Sequence, residues 1–437
     1  MSSITFSSLR INTAEQFKES ISEPAPNTKI YIAIGKVEPW ANDVAPANAN
    51  NSIATTYEVW DSMIGGKRLV GSDVAHVIPR INWTANTSFT AYDHMHDHIS
   101  NQDFYVLTSQ NAVYKCISNN NGQLSTVEPS SFNIEAPIST ADGYIWKFMY
   151  QISSAELLRF TTQDFIPVKT LTMDDGSLQW QVQNSAREGS IEHIEITDPG
   201  TGYVNVSNLV ISVVGDGTPV IATANIANGG IEKIIVTDAG LNHTFASVTI
   251  GGGGGFGAQA RAIISPPGGH GSDPLYELNG SAVMLDARLR YGEEGVLPVT
   301  NDYRQVSLLK DPIDGATSNV ATIPAFSQML VITTSGAGTY LQDEIVYQGN
   351  SLATASFKGR VVFYDEDTSK VYLINTTGTP TASRSLIGSE SFTVRVLASV
   401  ESPDLVKNSG QIMYLDNIVP VSRSEDQIEN FKIILKF

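Results

Sequence analysis

Three places in this 437-residue chain hold residue types at spacings that could do chemistry. In Asp93-His94-Met95-His96-Asp97-His98, alternation on a strand would put His94, His96 and His98 on one face with carboxylates between them, a metal-like pattern. The flanking residues are polar and loop-like, so no strand holds the imidazoles in a fixed geometry, and no metal is expected there. In Pro266-Pro-Gly-Gly-His270-Gly-Ser-Asp273-Pro274, His270 and Asp273 could form an acid-base pair, but the Gly and Pro around them predict a fixed hinge loop. Glycines 251 to 255 with Phe256-Gly257 could cradle a phosphate, yet no Lys-Ser or Lys-Thr follows and no helix is predicted after them. A turn linking two strands is the better reading. There is no Gly-x-Ser-x-Gly elbow, no His-Glu-x-x-His helix and no dinucleotide fingerprint after a strand, so catalysis has no anchor and no cofactor is expected. Cys116 is the only cysteine, which excludes an intrachain disulfide and a cysteine-rich zinc cage. The aromatic groups, Trp40, Trp60, Trp83 and Tyr144 to Tyr150, read as core or subunit contact before ligand platform.

The elements that must position these residues are mainly short strands. β-Branched and aromatic residues cluster in runs such as Lys29 to Gly35, Asp103 to Leu107, Val113 to Ile117, Gly143 to Ile152 and Asn430 to Phe437. Helices are predicted for Thr13 to Ile21, where Thr13 and Gln16 have capping-box spacing, for Tyr57 to Ile64, stopped by Gly65 and Gly66, and for Ser154 to Phe160. Residues Gly189 to Ser265 contain an internal repeat at an offset of 40: Ile191-Glu-His-Ile-Glu-Ile-Thr-Asp-Pro-Gly200 returns as Ile231-Glu-Lys-Ile-Ile-Val-Thr-Asp-Ala-Gly240. Each copy reads as a strand, a Thr-Asp-x-Gly turn, a second strand (Leu209 to Val214; Ser247 to Ile250) and a small-residue strand (Val220 to Ile226; Ala258 to Ile264). Such units gain a core by packing on their copy. Between Ile323 and Val400, strands at Met329 to Thr333, Glu344 to Tyr347, Gly359 to Tyr364, Lys370 to Ile374 and Phe392 to Leu397 suggest a small barrel or sandwich.

Composition bounds the function. The chain is long enough for two to four folding units, with 41% hydrophobic and only 16% charged residues. Its 45 acidic against 27 basic residues, a net charge of −18, repel nucleic acid and anionic lipid. No signal peptide and no apolar run of membrane-spanning length is read, so intracellular assembly without membrane insertion is expected.

Several blocks resemble one family. The run Ile30-Tyr-Ile-Ala-Ile-Gly-Lys-Val-Glu-Pro-Trp40, then Val59-Trp60-Asp-Ser-Met63 and His76-Val-Ile-Pro-Arg80-Ile-Asn-Trp83, is similar in order and spacing to the N-terminal third of the gene-product-eight type baseplate wedge subunits of T-even-like contractile-tailed phages. Asp142 to Phe148, Tyr303 to Pro312, Asn408 to Asn417 and Ile433 to Phe437 resemble that family's later blocks. The likeness covers about residues 1 to 186, 276 to 315 and 401 to 437. It implies a β-sandwich body with a few loop-borne helices, a homodimer within each wedge that contacts other wedge subunits, a place in the virion tail baseplate after assembly in the host cytoplasm, and no enzymatic activity. It brings no catalytic residues with it. The expected division is a discontinuous body of residues 1–186, 266–322 and 401–437, an inserted glycine-rich repeat module of residues 187–265, and an inserted small β-barrel module of residues 323–400. Two other classes stay open: a carbohydrate-binding adhesin, which needs exposed, co-facing aromatics where the repeat offers Tyr203, Phe245 and Phe256, and a glycan hydrolase, which needs two carboxylates in a cleft.

Overall fold

The computed structural model describes residues 5–24, 27–96 and 103–437. The architecture is mainly β, as the runs of β-branched and aromatic residues predict. The chain forms two compact units, one of Met1–Gln16, Ala75–Met284 and Ile434–Phe437, the other of Phe17–Val74 and Leu285–Ile433. Among the described residues no helix is long and apolar enough to cross a membrane.

The first unit is built around a four-stranded sheet in the order Tyr105–Leu107, Ala112–Ser118, Ile145–Gln151, Ile138–Ser139. Its middle strands are near-continuous apolar runs because both faces are covered. Tyr114, Cys116, Trp146 and Phe148 point into one core with Phe89 and Tyr144, while Val113, Met149, Tyr150 and Ile152 point into another with Tyr105 and Leu107. Lys115 alternates onto the second of these faces and is fully buried.

The repeat folds with its copies exchanging strands. Ile191–Asp198, the first strand of the first copy, pairs with Gln259–Ile264, the last strand of the second. Reciprocally, Gly230–Asp238 pairs with Ile221–Ala227. The middle strands, Val210–Gly215 and Ala246–Gly251, pair with each other. Ile191, Ile194, Ile231 and Ile234 meet in one core over Tyr203, so each copy covers the other's apolar face. The Thr-Asp-x-Gly turns have a direct cause: Asp198 Oδ1 accepts the Gly200 amide at 2.8 Å, and Asp238 Oδ1 accepts that of Gly240 at 3.2 Å. Both glycines hold a left-handed φ, +65° and +60°, that a side chain would strain.

The second unit carries a five-stranded sheet in the order Ala325–Ser327, Met63–Arg68, Ile30–Gly35, Asp302–Lys310, Gln411–Ser422. It also holds a closed six-stranded barrel of Leu330–Ser335, Lys370–Gly378, Phe357–Asp365, Ile345–Gln348, Ser385–Gly388 and Val394–Glu401. Ile332, Val346, Phe357, Val361, Val371, Leu373, Leu386 and Leu397 fill it. The strand Ser385–Gly388 is not among the five expected, since only Leu386 and Ile387 in it are large and apolar.

Two helix boundaries differ from expectation. The first helix is Ser7–Ser22, so Thr13 and Gln16 lie inside it: Thr13 Oγ1 donates to Leu9 O and Gln16 Nε2 to Asn12 Oδ1, instead of capping an end. The second, Ile53–Ser62, is started by Ser52, whose side chain accepts the Thr55 amide, and it ends before Met63 and Ile64, which begin a strand. Gly65 and Gly66 belong to that strand and let its neighbours close in, because a Cβ on Gly66 would stand 2.0 Å from Ile32 O. The third helix, Ser154–Phe160, has the expected span and a full capping box between Ser153 and Glu156. A fourth, Leu178–Asn184, has only Leu178, Trp180 and Val182 as large apolar residues and was not expected.

Candidate functional site

Of the three places singled out by residue type, the histidine segment forms a turn, not a strand, over Asp93 to His96, and Asp97 and His98 lie outside the described residues. His94 Nδ1 accepts the Ile264 amide at 3.3 Å, and His96 Nδ1 lies 3.1 Å from Asp93 Oδ2. Asp93 is itself held by the Arg261 guanidinium at 2.6 Å. Burial raises the Asp93 carboxyl, but Arg261 and the Met95 amide outweigh it and leave it below the usual range. Among the described residues no group of three or more His, Cys, Asp or Glu side chains is arranged to hold a metal. The glycine run links the strands Ala246–Gly251 and Gln259–Ile264, and no helix follows it.

His270 and Asp273 are not brought together. Asp273 caps the short helix Pro274–Glu277, accepting the Tyr276 amide. The partner of His270 is Glu277, with Nδ1 3.4 Å from Oε1, while Nε2 lies 3.0 Å from the carbonyl of Phe148. A carbonyl only accepts, so Nε2 carries a proton.

Glu277 leads to a buried cluster that the residue types alone did not reveal. Lys115 Nζ stands 2.7 Å from Glu277 Oε1, 3.6 Å from Glu192 Oε2 and 3.6 Å above the Tyr92 ring. Lys147 reaches Glu192 Oε1 at 3.2 Å, and the Gly271 amide donates to Glu277 Oε2 at 2.7 Å. Three distant segments meet here: Lys115 from the central sheet, Glu192 from the repeat, and Glu277 from the helix after the His270 loop. The only advance sign was a charge inside an apolar run, Lys115 in Val-Tyr-Lys-Cys-Ile and Glu192 in Ile-Glu-His-Ile.

The electrostatics oppose acid-base catalysis. Burial raises the Glu192 carboxyl, but Lys115 and Lys147 overcome this and bring it down to about 2. For Glu277, burial likewise loses to Lys115 and His270, which hold it far below the usual range. A general acid in a glycosidase needs the opposite, a raised carboxyl beside an opening that admits water. Here both carboxylates are buried and ionised, and although Glu192 Oε2 receives no hydrogen bond, the charges of Lys115 and Lys147 hold them, so the cluster fixes its three segments against one another.

Beside it lies a cleft of about 900 Å³, bordered by Asn119 to Asn121, Asp142 and the repeat strands at His193 to Thr197 and Ile231 to Ile234. Burial, then Lys233 and Arg261, push the His193 imidazole down to about 4, so at neutral pH it is uncharged. Among the described residues of the cleft wall the one Phe, Tyr or Trp is Tyr92, which is buried and offers no stacking platform. In the repeat Tyr203 is buried, and Phe245 and Phe256 are exposed.

The comparisons with known proteins bear on this arrangement. Residues 3–125 match the family described as bacteriophage T4 Gp8. The baseplate wedge protein gp8 of Enterobacteria phage T4 is 24% identical over 200 residues, a stretch covering 38% of this chain and 60% of that protein. The two matches and the blocks quoted above support one recognition, a baseplate wedge subunit of the gp8 type.

Proposed function

We propose that the chain is a structural subunit of a phage tail baseplate wedge, a homodimeric connector that joins neighbouring wedge proteins during assembly and tail contraction. The observation that carries this reading is the match to the wedge protein gp8 of phage T4, reached both by the family and by the individual relative. The buried, ion-paired Lys115 cluster supports it, since it serves rigidity and its two carboxylates are enclosed and ionised. The chain then works in the virion tail baseplate, without catalysis, nucleic-acid binding or membrane insertion. The body of residues 1–186, 266–322 and 401–437 makes the wedge contacts, and modules 187–265 and 323–400 are additions to it. Antibody labelling of purified virions tests the location: label at the baseplate is the expected outcome, and label on capsid, tail tube or distal fibres alone overturns it. Co-expression with the other wedge proteins of the same phage tests the role, because a connector must co-purify with at least one of them.

A further inference from the structure

One residue of the barrel stands in a backbone conformation that its side chain opposes. Phe392 has φ +53°, in the left-handed region, an outlier for a bulky residue, and with its side chain 79% exposed no packing offsets the strain. The turn that carries it is fixed by a buried group. Glu344, only 1% exposed, accepts the Glu390 and Ser391 amides on Oε2 at 3.0 Å each, and the Ser391 hydroxyl and the Leu341 amide on Oε1 at 2.8 Å each. Thr393 closes the turn from its other end: its carbonyl accepts the Gly388 amide at 2.9 Å, and its hydroxyl donates to Thr339 O at 2.8 Å. Gly388 leaves the room this needs, because a Cβ there would stand 2.7 Å from Glu344 Oε2. A buried carboxylate thus holds, in one fixed place, an aromatic ring that does nothing for its own chain.

The surface beside the ring is apolar and its rim is acidic. Val394 and Val396 are exposed on the strand Val394–Glu401, alternating with buried Arg395 and Leu397, and half-buried Ile387 is the cross-strand neighbour of Val394. Leu341, on the loop held by the same carboxylate, is exposed as well. Glu390 is exposed two residues before Phe392, and exposed Glu366 accepts the hydroxyl of Thr339, whose carbonyl holds Thr393. Arg395, the basic residue of this stretch, is buried and donates to Thr334, Gly338 and Ser369 inside the barrel.

We propose that Phe392 anchors a contact between the barrel and another protein of the same particle, one whose apolar pocket receives the ring and whose rim is basic. A rigidly presented aromatic suits the buried centre of an interface, because little freedom is lost on docking. Charge selects the partner. A second copy of this chain, with a net charge of −18 and the same acidic rim, would set Glu390 and Glu366 against like charges, whereas a rim of Lys and Arg complements them. The contact is additional to those of the body and rests on the baseplate reading above.

The strain is tested on the isolated chain. Phe392→Gly and Phe392→Ala both remove the ring, but glycine alone accepts a left-handed φ without a Cβ clash, so Phe392→Gly should melt above Phe392→Ala. An alanine variant that melts as high or higher overturns the strained display. The contact is tested in purified virions whose chain carries photo-reactive p-benzoylphenylalanine at position 392. Irradiation should join the chain to a different protein of the particle, and Glu390→Lys with Glu366→Lys should lower the yield of that adduct at least fivefold. Should the charge-reversed chain fail to assemble, Glu390→Gln with Glu366→Gln should lower the yield at least twofold. An adduct with a second copy, no adduct with another protein of the particle, or a yield that these changes leave unaltered overturns the proposal. Baseplate labelling without an adduct strikes the anchor alone, whereas an adduct on particles labelled elsewhere strikes the baseplate reading.

Discussion

Lys115 decides more than any other residue in the first unit. It sits in a strand covered on both faces, where an apolar side chain would pack without cost, and its charge is tolerated only because Glu277 and Glu192 stand within ion-pair reach. Removing it alone leaves two buried carboxylates facing each other. Lys115→Met should therefore cost about 3–5 kcal/mol in denaturant unfolding, while Lys115→Met with Glu192→Gln and Glu277→Gln should recover most of that loss. Recovery that fails would mean that the charges do more than balance one another. The same cluster sets an acid limit. Glu192 has a folded value of about 2 against an ordinary 4.5, and Glu277 is lowered too, so their stabilisation is fully present above about pH 4.5 and is lost as pH falls toward about 2. His193 acts over a higher window: held down to about 4 against an ordinary 6.5, it binds its proton more readily in the unfolded chain, so stability falls as pH drops from 6.5 toward 4. Melting temperature against pH should show both slopes. His193→Gln should flatten the upper slope, and the triple variant the lower one.

The elements show how far local patterns reach. The strand-exchanged repeat was legible because both copies keep their isoleucines and the Asp of the turn, features written within ten residues. The helix Ser154–Phe160 was read with its observed span, and the structure supplies its cap, Ser153 and the reciprocal Glu156 lying three apart. Ser153→Ala should accordingly cost about 1 kcal/mol, read by denaturant titration. The same spacing misled at Thr13 and Gln16, because three residues apart is also one helical turn, and only the chain before Thr13 decides between cap and interior. The partner of Lys115 was out of reach in principle: Glu277 lies 162 positions on, and nothing local in either segment specifies the other. That pairing also corrects how independent the repeat can be. Its main core is its own, yet Glu192 enters the buried cluster and Ile263 joins the core of Phe104, Leu107 and Met149. Replacing Gly189 to Ser265 by a short Gly-Ser link should thus leave a folded, soluble protein, since closure entropy grows slowly with length. It should be less stable by about 2–5 kcal/mol, the usual cost of emptying one large core position. Aggregation of the shortened chain would place the repeat within the body's core.

For the whole molecule the governing quantity is charge. Each chain carries a net charge of −18, and with only 16% of its residues charged, most of its surface is uncharged polar or apolar. Two copies approaching each other repel over a Debye length of roughly 30 Å at 0.01 M salt and roughly 8 Å at 0.15 M. A homodimer must therefore rest on short-range apolar contact, and large permanent interfaces of that kind commonly bury more than about 2,000 Å². Exposed apolar side chains exist to supply it. In the body, Met413 and Val419 lie exposed on the edge strand Gln411–Ser422. Salt should consequently strengthen the association, opposite to its effect on interfaces held by charge pairs. Sedimentation at micromolar concentration should give a mass twice the 47.1 kDa chain, with dissociation detectable at about 0.01 M salt and suppressed at about 0.15 M. A monomer at every salt concentration would remove the dimer from the proposed function. A dimer that salt weakens would keep it, but with paired charges in place of the apolar contact argued from composition.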